Sequence, residues 1–72
     1  MTNNIESERR RLGLTQEELG TKIGKGRATI IRWESDPGAI TGTYLVKLAQ
    51  LFHCSIDYLL GLTQERRPQG AA

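Results

Sequence analysis

The chain has 72 residues, room for one domain, because a polypeptide this short hides only about 60% of its unfolded surface and leaves no apolar material for a second, effector-sensing core. Ten basic against eight acidic side chains give a formal charge of +2, so any attraction to a polyanion has to come from where the basic groups cluster. A single cysteine, Cys54, excludes an intramolecular disulfide and a paired-thiolate zinc site, and no apolar run approaches the roughly 18 residues of a membrane span or the core of a secretory signal, so a reducing, cytoplasmic setting is expected.

Apolar residues recur at helical spacing throughout and no stretch alternates as a half-buried strand does, which predicts an all-α fold. Ile5, Arg9 and Leu12 share one side of a first helix that ends near Gly13, so its inward stripe includes an arginine. Arg10 and Arg11, interleaved with Glu6 and Glu8, read as an ordinary charged helix surface. Thr15 opens a second helix with Glu18 three places on, a capping box in which each side chain satisfies a backbone N–H of the other. Leu19 and Ile23 form its core face, and Gly24 closes it.

A third helix is predicted from about Arg27 to Glu34, with Gly26 as an N-cap that offers no side chain. At about 100° per residue, Arg27, Ala28, Ile31 and Arg32 occupy one side, whereas Thr29, Ile30 and Trp33 lie opposite and face inward. Ser35 to Ala39 form a loop, and Thr41 or Thr43 caps a fourth helix through Phe52 whose stripe is Leu45, Leu48, Ala49 and Phe52. Ser55 caps a short last helix that adds Ile56, Leu59 and Leu60 to the core, and Gly61 ends it. Cys54 reads as a small buried hydrophobe, and His53 has no second ligand at metal spacing, so no metal or cofactor is expected. The folded domain is thus expected over residues 1–62, with a disordered polar tail over 63–72.

Two short helices joined by a tight glycine-containing turn, the second basic on its exposed side, form the pattern that presents a helix to the major groove of DNA. The residues Arg9, Gly13-Leu14-Thr15-Gln16-Glu17-Glu18-Leu19, Gly24, Thr29-Ile30, Trp33-Glu34, Leu48-Ala49 and Cys54-Ser55-Ile56-Asp57-Tyr58-Leu59-Leu60-Gly61 resemble the Cro/CI-type repressor family, also called Xre-like or lambda-repressor-like, over nearly all of residues 5–61. The resemblance implies a compact five-helix bundle whose second and third helices form the helix-turn-helix, a sequence-specific regulator of transcription, most simply a repressor, and a homodimer on a palindromic site in double-stranded DNA.

The residue types agree with that role. Arg27 and Arg32 each carry a planar fork able to donate two hydrogen bonds to guanine, and Ala28 and Ile31 between them are suited to thymine methyl groups. Gln16 matches the family position that holds a DNA phosphate. Lys25, Gly26 and Thr29 around the turn, and Thr41 and Thr43 at the start of the fourth helix, are further candidates for phosphate contact. By the same resemblance Arg9 and Glu34 form a structural ion pair, and dimer contacts fall near Ile40 and Tyr58.

The pattern is broken at Gly26, where a serine or threonine usually caps the third helix, and at Ile31, which is either a thymine-methyl reader or part of a protein contact. Gly24-Lys25-Gly26 fails as a phosphate-binding loop, since its spacing is too short and no hydroxyl follows the lysine. No catalytic triad or acid–base pair is visible, so neither an enzyme nor a small-molecule binder is expected. The competing class is a protein-interaction module of the same fold, an antitoxin or a coactivator-like adaptor.

Overall fold

The computed structural model describes residues 4–66, which form α1 (Ile5–Arg11), α2 (Gln16–Ile23), α3 (Arg27–Ser35), a single 3₁₀ turn (Pro37–Ala39), α4 (Gly42–Phe52) and α5 (Ile56–Leu59). No strand occurs among the described residues. Capping chemistry sets several of these boundaries. Thr15 Oγ1 accepts the Glu18 N–H at 3.1 Å while Glu18 Oε1 accepts the Thr15 N–H at 2.8 Å, so the capping box closes in both directions. The bond from the Thr15 N–H holds the Glu18 carboxyl below its ordinary pKa. Ser55 caps α5 by accepting the Tyr58 N–H, and Thr41 precedes α4 in extended backbone without a side-chain cap.

The apolar faces close on one another around Ile5, Leu19, Ile30, Leu48, Phe52 and Leu59, all fully buried, with Trp33, Ile40, Ala49 and Cys54 filling the spaces between them. Leu45 and Ile56 lie partly buried against this cluster, and Leu60 is half-buried at the end of α5. Burial pushes the Cys54 thiol up to about 11, so the sulfur stays a neutral packing group.

The α2–α3 junction depends on two glycines. Gly24 ends α2 in the left-handed region at φ 79°, and the next residue, Lys25, sends its N–H back to the Gly20 carbonyl at 2.8 Å. That return brings the Lys25 carbonyl against the α2 backbone, where a Cβ on Gly20 would fall on the carbonyl oxygen. Gly20 therefore sets how tightly the turn closes, and with it the angle between α2 and α3. Gly20→Ala is expected to destabilise the fold by about 1–3 kcal/mol, as overpacking does elsewhere, despite alanine's better helix propensity; urea denaturation read by circular dichroism checks this.

The first helix departs from the expected pattern. Leu12, placed by periodicity on the inward stripe, is 40% exposed, because α1 ends at Arg11 and the chain turns away through Gly13. The inward position one turn after Ile5 belongs to Glu8, which is 2% exposed and so is no surface charge. Its carboxylate accepts from Arg11 Nε at 2.9 Å, from Tyr58 OH at 3.2 Å, and from Arg66 Nε and Nη2 at 2.8 and 2.7 Å. Arg66 and Arg11 also donate to the Phe52 carbonyl at the end of α4.

Arg66 thus joins a folded cluster although it lies in the stretch from residue 63 expected to be a disordered tail; residues 67–72 of that stretch lie outside the described residues. A fork with two parallel bonds to a buried carboxylate anchors the backbone that carries it. The Arg66 guanidinium, and secondarily Arg11, hold the Glu8 carboxyl below its ordinary range against the opposing effect of burial. A depressed carboxyl stabilises the fold above the unfolded pKa, about 4.3, and that contribution disappears as pH falls through the folded value. Arg66→Ala should therefore lose about 1.5–3 kcal/mol at neutral pH, the range for a hydrogen bond to a charged group. Its deficit relative to the parent should shrink in urea melts as the pH is lowered from about 6 to about 3.

Candidate nucleic-acid interface

The third helix starts from Gly26, whose extended backbone (φ −83°, ψ 167°) lets its carbonyl accept the Thr29 and Ile30 N–H groups in place of any side-chain cap. Ile30 and Trp33 are buried and seat the helix on the core. The opposite side presents Arg27, Ala28, Ile31 and Arg32, all exposed, with Ile31 at 40%. These side chains sit one or three positions apart on a rigid helix, so two guanidinium forks flank a small apolar patch on one outward surface.

The rotation of α3 about its axis is held by a buried ion pair. Arg9 Nε donates to Glu34 Oε2 at 2.6 Å, with 10% and 8% of the two side chains exposed, and Arg9 Nη1 donates to the Leu14 carbonyl at 2.8 Å. Gln16 Nε2 donates to the second oxygen, Glu34 Oε1, at 3.0 Å, so residues of α1, α2 and α3 converge on one carboxylate. Gln16, expected to hold a phosphate, is accordingly anchored to α3, and its amide nitrogen retains a second N–H for an outside acceptor.

Two clefts flank the exposed side of α3. One, of about 470 Å³, lies at the start of α2 and is lined by Arg9, Thr15, Gln16, Glu17 and Arg27, which brings the expected phosphate holder and the first arginine of α3 together. The other, of about 300 Å³, is lined by Lys25, Thr29, Arg32, Trp33, Ala39, Thr41 and Tyr44. Thr29, placed inward by the helical wheel, is half-buried at the edge of this second cleft. Gly26 is exposed at the mouth of the turn, and Thr43 is exposed on the first turn of α4 outside the cleft's lining.

Ile40 and Tyr58, expected at a contact between subunits, are 6% and 9% exposed within one chain. Ile40 belongs to the apolar core, and Tyr58 turns inward because its hydroxyl donates to the buried Glu8. Two residues of the second cleft's neighbourhood escaped the reading of the sequence. Tyr44 packs its ring 5.5 Å from that of Trp33 and carries the ammonium groups of Lys25 and Lys47 at 4.7 and 5.0 Å from its centroid. The three-residue step from Tyr44 to Lys47 was a usable sign of this pairing, whereas the approach of Lys25 is a product of the turn.

A family model described as Helix-turn-helix matches residues 5–59. Repressor protein C2 of Salmonella phage P22 is 33% identical over 60 residues, covering 83% of this chain and 28% of that protein. The uncharacterized HTH-type transcriptional regulator YobD of Bacillus subtilis (strain 168) is 38% identical over 56 residues, covering 78% of this chain and 50% of YobD. The chain therefore spans half or less of the length of these relatives. No solved structure gives a significant match. No helix among the described residues is long and apolar enough to cross a membrane.

The Arg9–Glu34 geometry makes a prediction that separates architecture from recognition. Arg9→Ala should destabilise the fold by about 3–5 kcal/mol, because it leaves a carboxylate buried without its cation. Thermal melts check this, and duplex titration at a temperature where the variant is still folded should show a smaller, separate loss of affinity, because α3 is then free to roll about its axis.

Proposed function

The chain belongs to the Cro/CI-type (Xre-like) helix-turn-helix family, and on that premise we propose that it is a sequence-specific regulator of transcription, a repressor, that sets α3 in the major groove of double-stranded DNA. The single observation that carries this reading is the outward row Arg27, Ala28, Ile31 and Arg32 on a helix whose rotation is fixed from behind by Arg9 and Glu34. The row offers two bidentate-capable side chains, Arg27 and Arg32, and each good arginine–guanine pair discriminates by about 1–3 kcal/mol. Ala28 and Ile31 add apolar complementarity to thymine methyl groups between them.

The two clefts support the same placement. A helix lying in the groove has a sugar–phosphate strand on each side, and here one flank offers Gln16 with the N-terminal end of α2 and the other offers Lys25 and Thr41. Such contacts position the protein without reading bases. Thr29, Gly26 and Thr43 complete the proposed phosphate set at the margins of these flanks.

The regulator acts as a homodimer on a palindromic operator in this reading. One helix with two arginines reads too few base pairs to outcompete a genome of other sites, and a second copy about 34 Å away, one turn of DNA, doubles the sequence read. Ile40 and Tyr58 are committed to the core of one chain and leave the contact between subunits to their exposed neighbours. Catalysis has no place in this scheme, and the protein is proposed to work in the cytoplasm.

Duplexes selected from a random pool provide the test. Affinity for the selected site should fall linearly on a plot of log K against log salt, and Arg27→Ala or Arg32→Ala should weaken binding by about 1–3 kcal/mol and relax the preference at particular base pairs. A half-site should bind far more weakly than the full palindrome. Selection that enriches no sequence, or arginine variants with an unaltered base preference, would contradict the proposal, and binding indifferent to salt would point to a protein-interaction module.

A further inference from the structure

Three features outside the base-reading row bring unusual chemistry together: the buried Glu8 cluster, the thiol of Cys54, and the aromatic and basic group at the start of α4. The first is satisfied by its own arginines and tyrosine, and the second is a fully buried neutral sulfur. The third is different, because Lys25 and Tyr44 line an open cleft and the exposed Lys47 lies over the same ring.

Lys25, in the turn, and Lys47, in α4, are far apart in sequence, yet both place their ammonium groups over one ring, that of Tyr44, at 4.7 and 5.0 Å. Two like charges so arranged repel each other, and the ring's negative face offsets only part of that repulsion. The ring is itself held in place against Trp33, a core residue, at 5.5 Å and an angle of 45°. Lysine side chains carry about 2 kcal/mol of rotamer entropy, so a fixed aromatic surface that restrains two of them prepares a site for an anion that neither would form alone.

The cleft beside Tyr44 also exposes Thr41 and the Arg32 flank of α3, so an anion there lies next to whatever rests against α3. We infer that Tyr44 is a positioning residue for DNA binding: its ring aims the ammonium groups of Lys25 and Lys47 at one and the same backbone phosphate beside the groove. This rests on the DNA-binding reading above and adds to it two residues, Tyr44 and Lys47, and a division of labour. Tyr44 touches no phosphate in this scheme; it acts through the lysines.

The test is duplex binding by fluorescence anisotropy over a series of salt concentrations, with circular dichroism establishing that each variant is folded. Tyr44→Phe, which keeps the ring, should bind as the parent does, and Tyr44→Leu should bind about two- to fivefold more weakly, the worth of an exposed cation–π contact. Lys47→Gln should weaken binding in the parent and do markedly less in the Tyr44→Leu background. The double variant Lys25→Gln/Lys47→Gln, which leaves the ring and the core intact, should reduce the salt slope by about 0.9, the value for one phosphate.

A reduction of about 1.8 in that double variant would mean that each lysine holds its own phosphate, and the inference would fail even if the leucine variant did not fold. It would also fail if Tyr44→Leu and Tyr44→Phe bound alike, or if Lys47→Gln had the same effect in both backgrounds. Those failures leave the DNA-binding reading intact, since the parent would still bind with a normal salt slope. A parent that binds no duplex overturns both.

Discussion

Arg9 reaches from α1 to Glu34 at the end of α3, 2.6 Å away, with nine-tenths of each side chain hidden from water, and Gln16 of α2 takes the remaining carboxylate oxygen. Desolvation offsets most of what the attraction between these charges contributes, so the pair adds little to net stability. Its effect is on geometry. A buried charge cannot be left without its partner except at a loss of several kcal/mol, and both partners have directional bonds to satisfy. An apolar contact in the same place would tolerate a small roll of α3 about its axis, whereas this one does not. Because side chains leave a helix at fixed angles, holding Glu34 inward holds Arg27, Ala28, Ile31 and Arg32 outward.

The same principle appears a second time at the residue next to Arg9 on α1. Glu8 is buried among Arg11, Arg66 and Tyr58, and by that arrangement α1, α5 and the stretch after α5 are drawn to the end of α4. A chain of this size has little apolar surface to spare, and a dozen buried hydrophobic side chains form the core among the described residues. Directional ionic contacts from these two neighbouring residues of α1 supply register where the core alone is too small to impose it. Apart from these clamps, the tight Gly20–Lys25 turn sets the angle at which α3 stands away from α2.

Much of this was readable in the sequence, for identifiable reasons. Helix starts with a side-chain cap, such as Thr15 with Glu18 and Ser55, are local chemistry and stand in the structure where the sequence places them. The inward and outward faces of α3 followed from periodicity alone, because Ile30 and Trp33 are large and apolar against exposed arginines. Periodicity misled at α1, where it favoured Leu12 over Glu8. A glutamate on an inward position looks like an error until its partners are known, and one of them, Arg66, is 58 residues distant. Separation in sequence also hid the environment of Tyr58, whose burial depends on that glutamate, and the meeting of Lys25 with Tyr44. What depends on neighbours along the helix can be read from one sequence; a partner from another element was legible only where the family resemblance supplied it, as for Arg9 and Glu34.

The central claim is that the outward side of α3, fixed from behind, is the surface that meets DNA. Backbone amide shifts followed by nuclear magnetic resonance during titration with a duplex test it most directly. The largest changes are predicted at residues 27, 28, 31 and 32, with smaller ones at Gln16 and around Lys25 and Thr41 on the two flanks. Changes centred on α1 or α5, with those of α3 left unmoved at saturation, would contradict it.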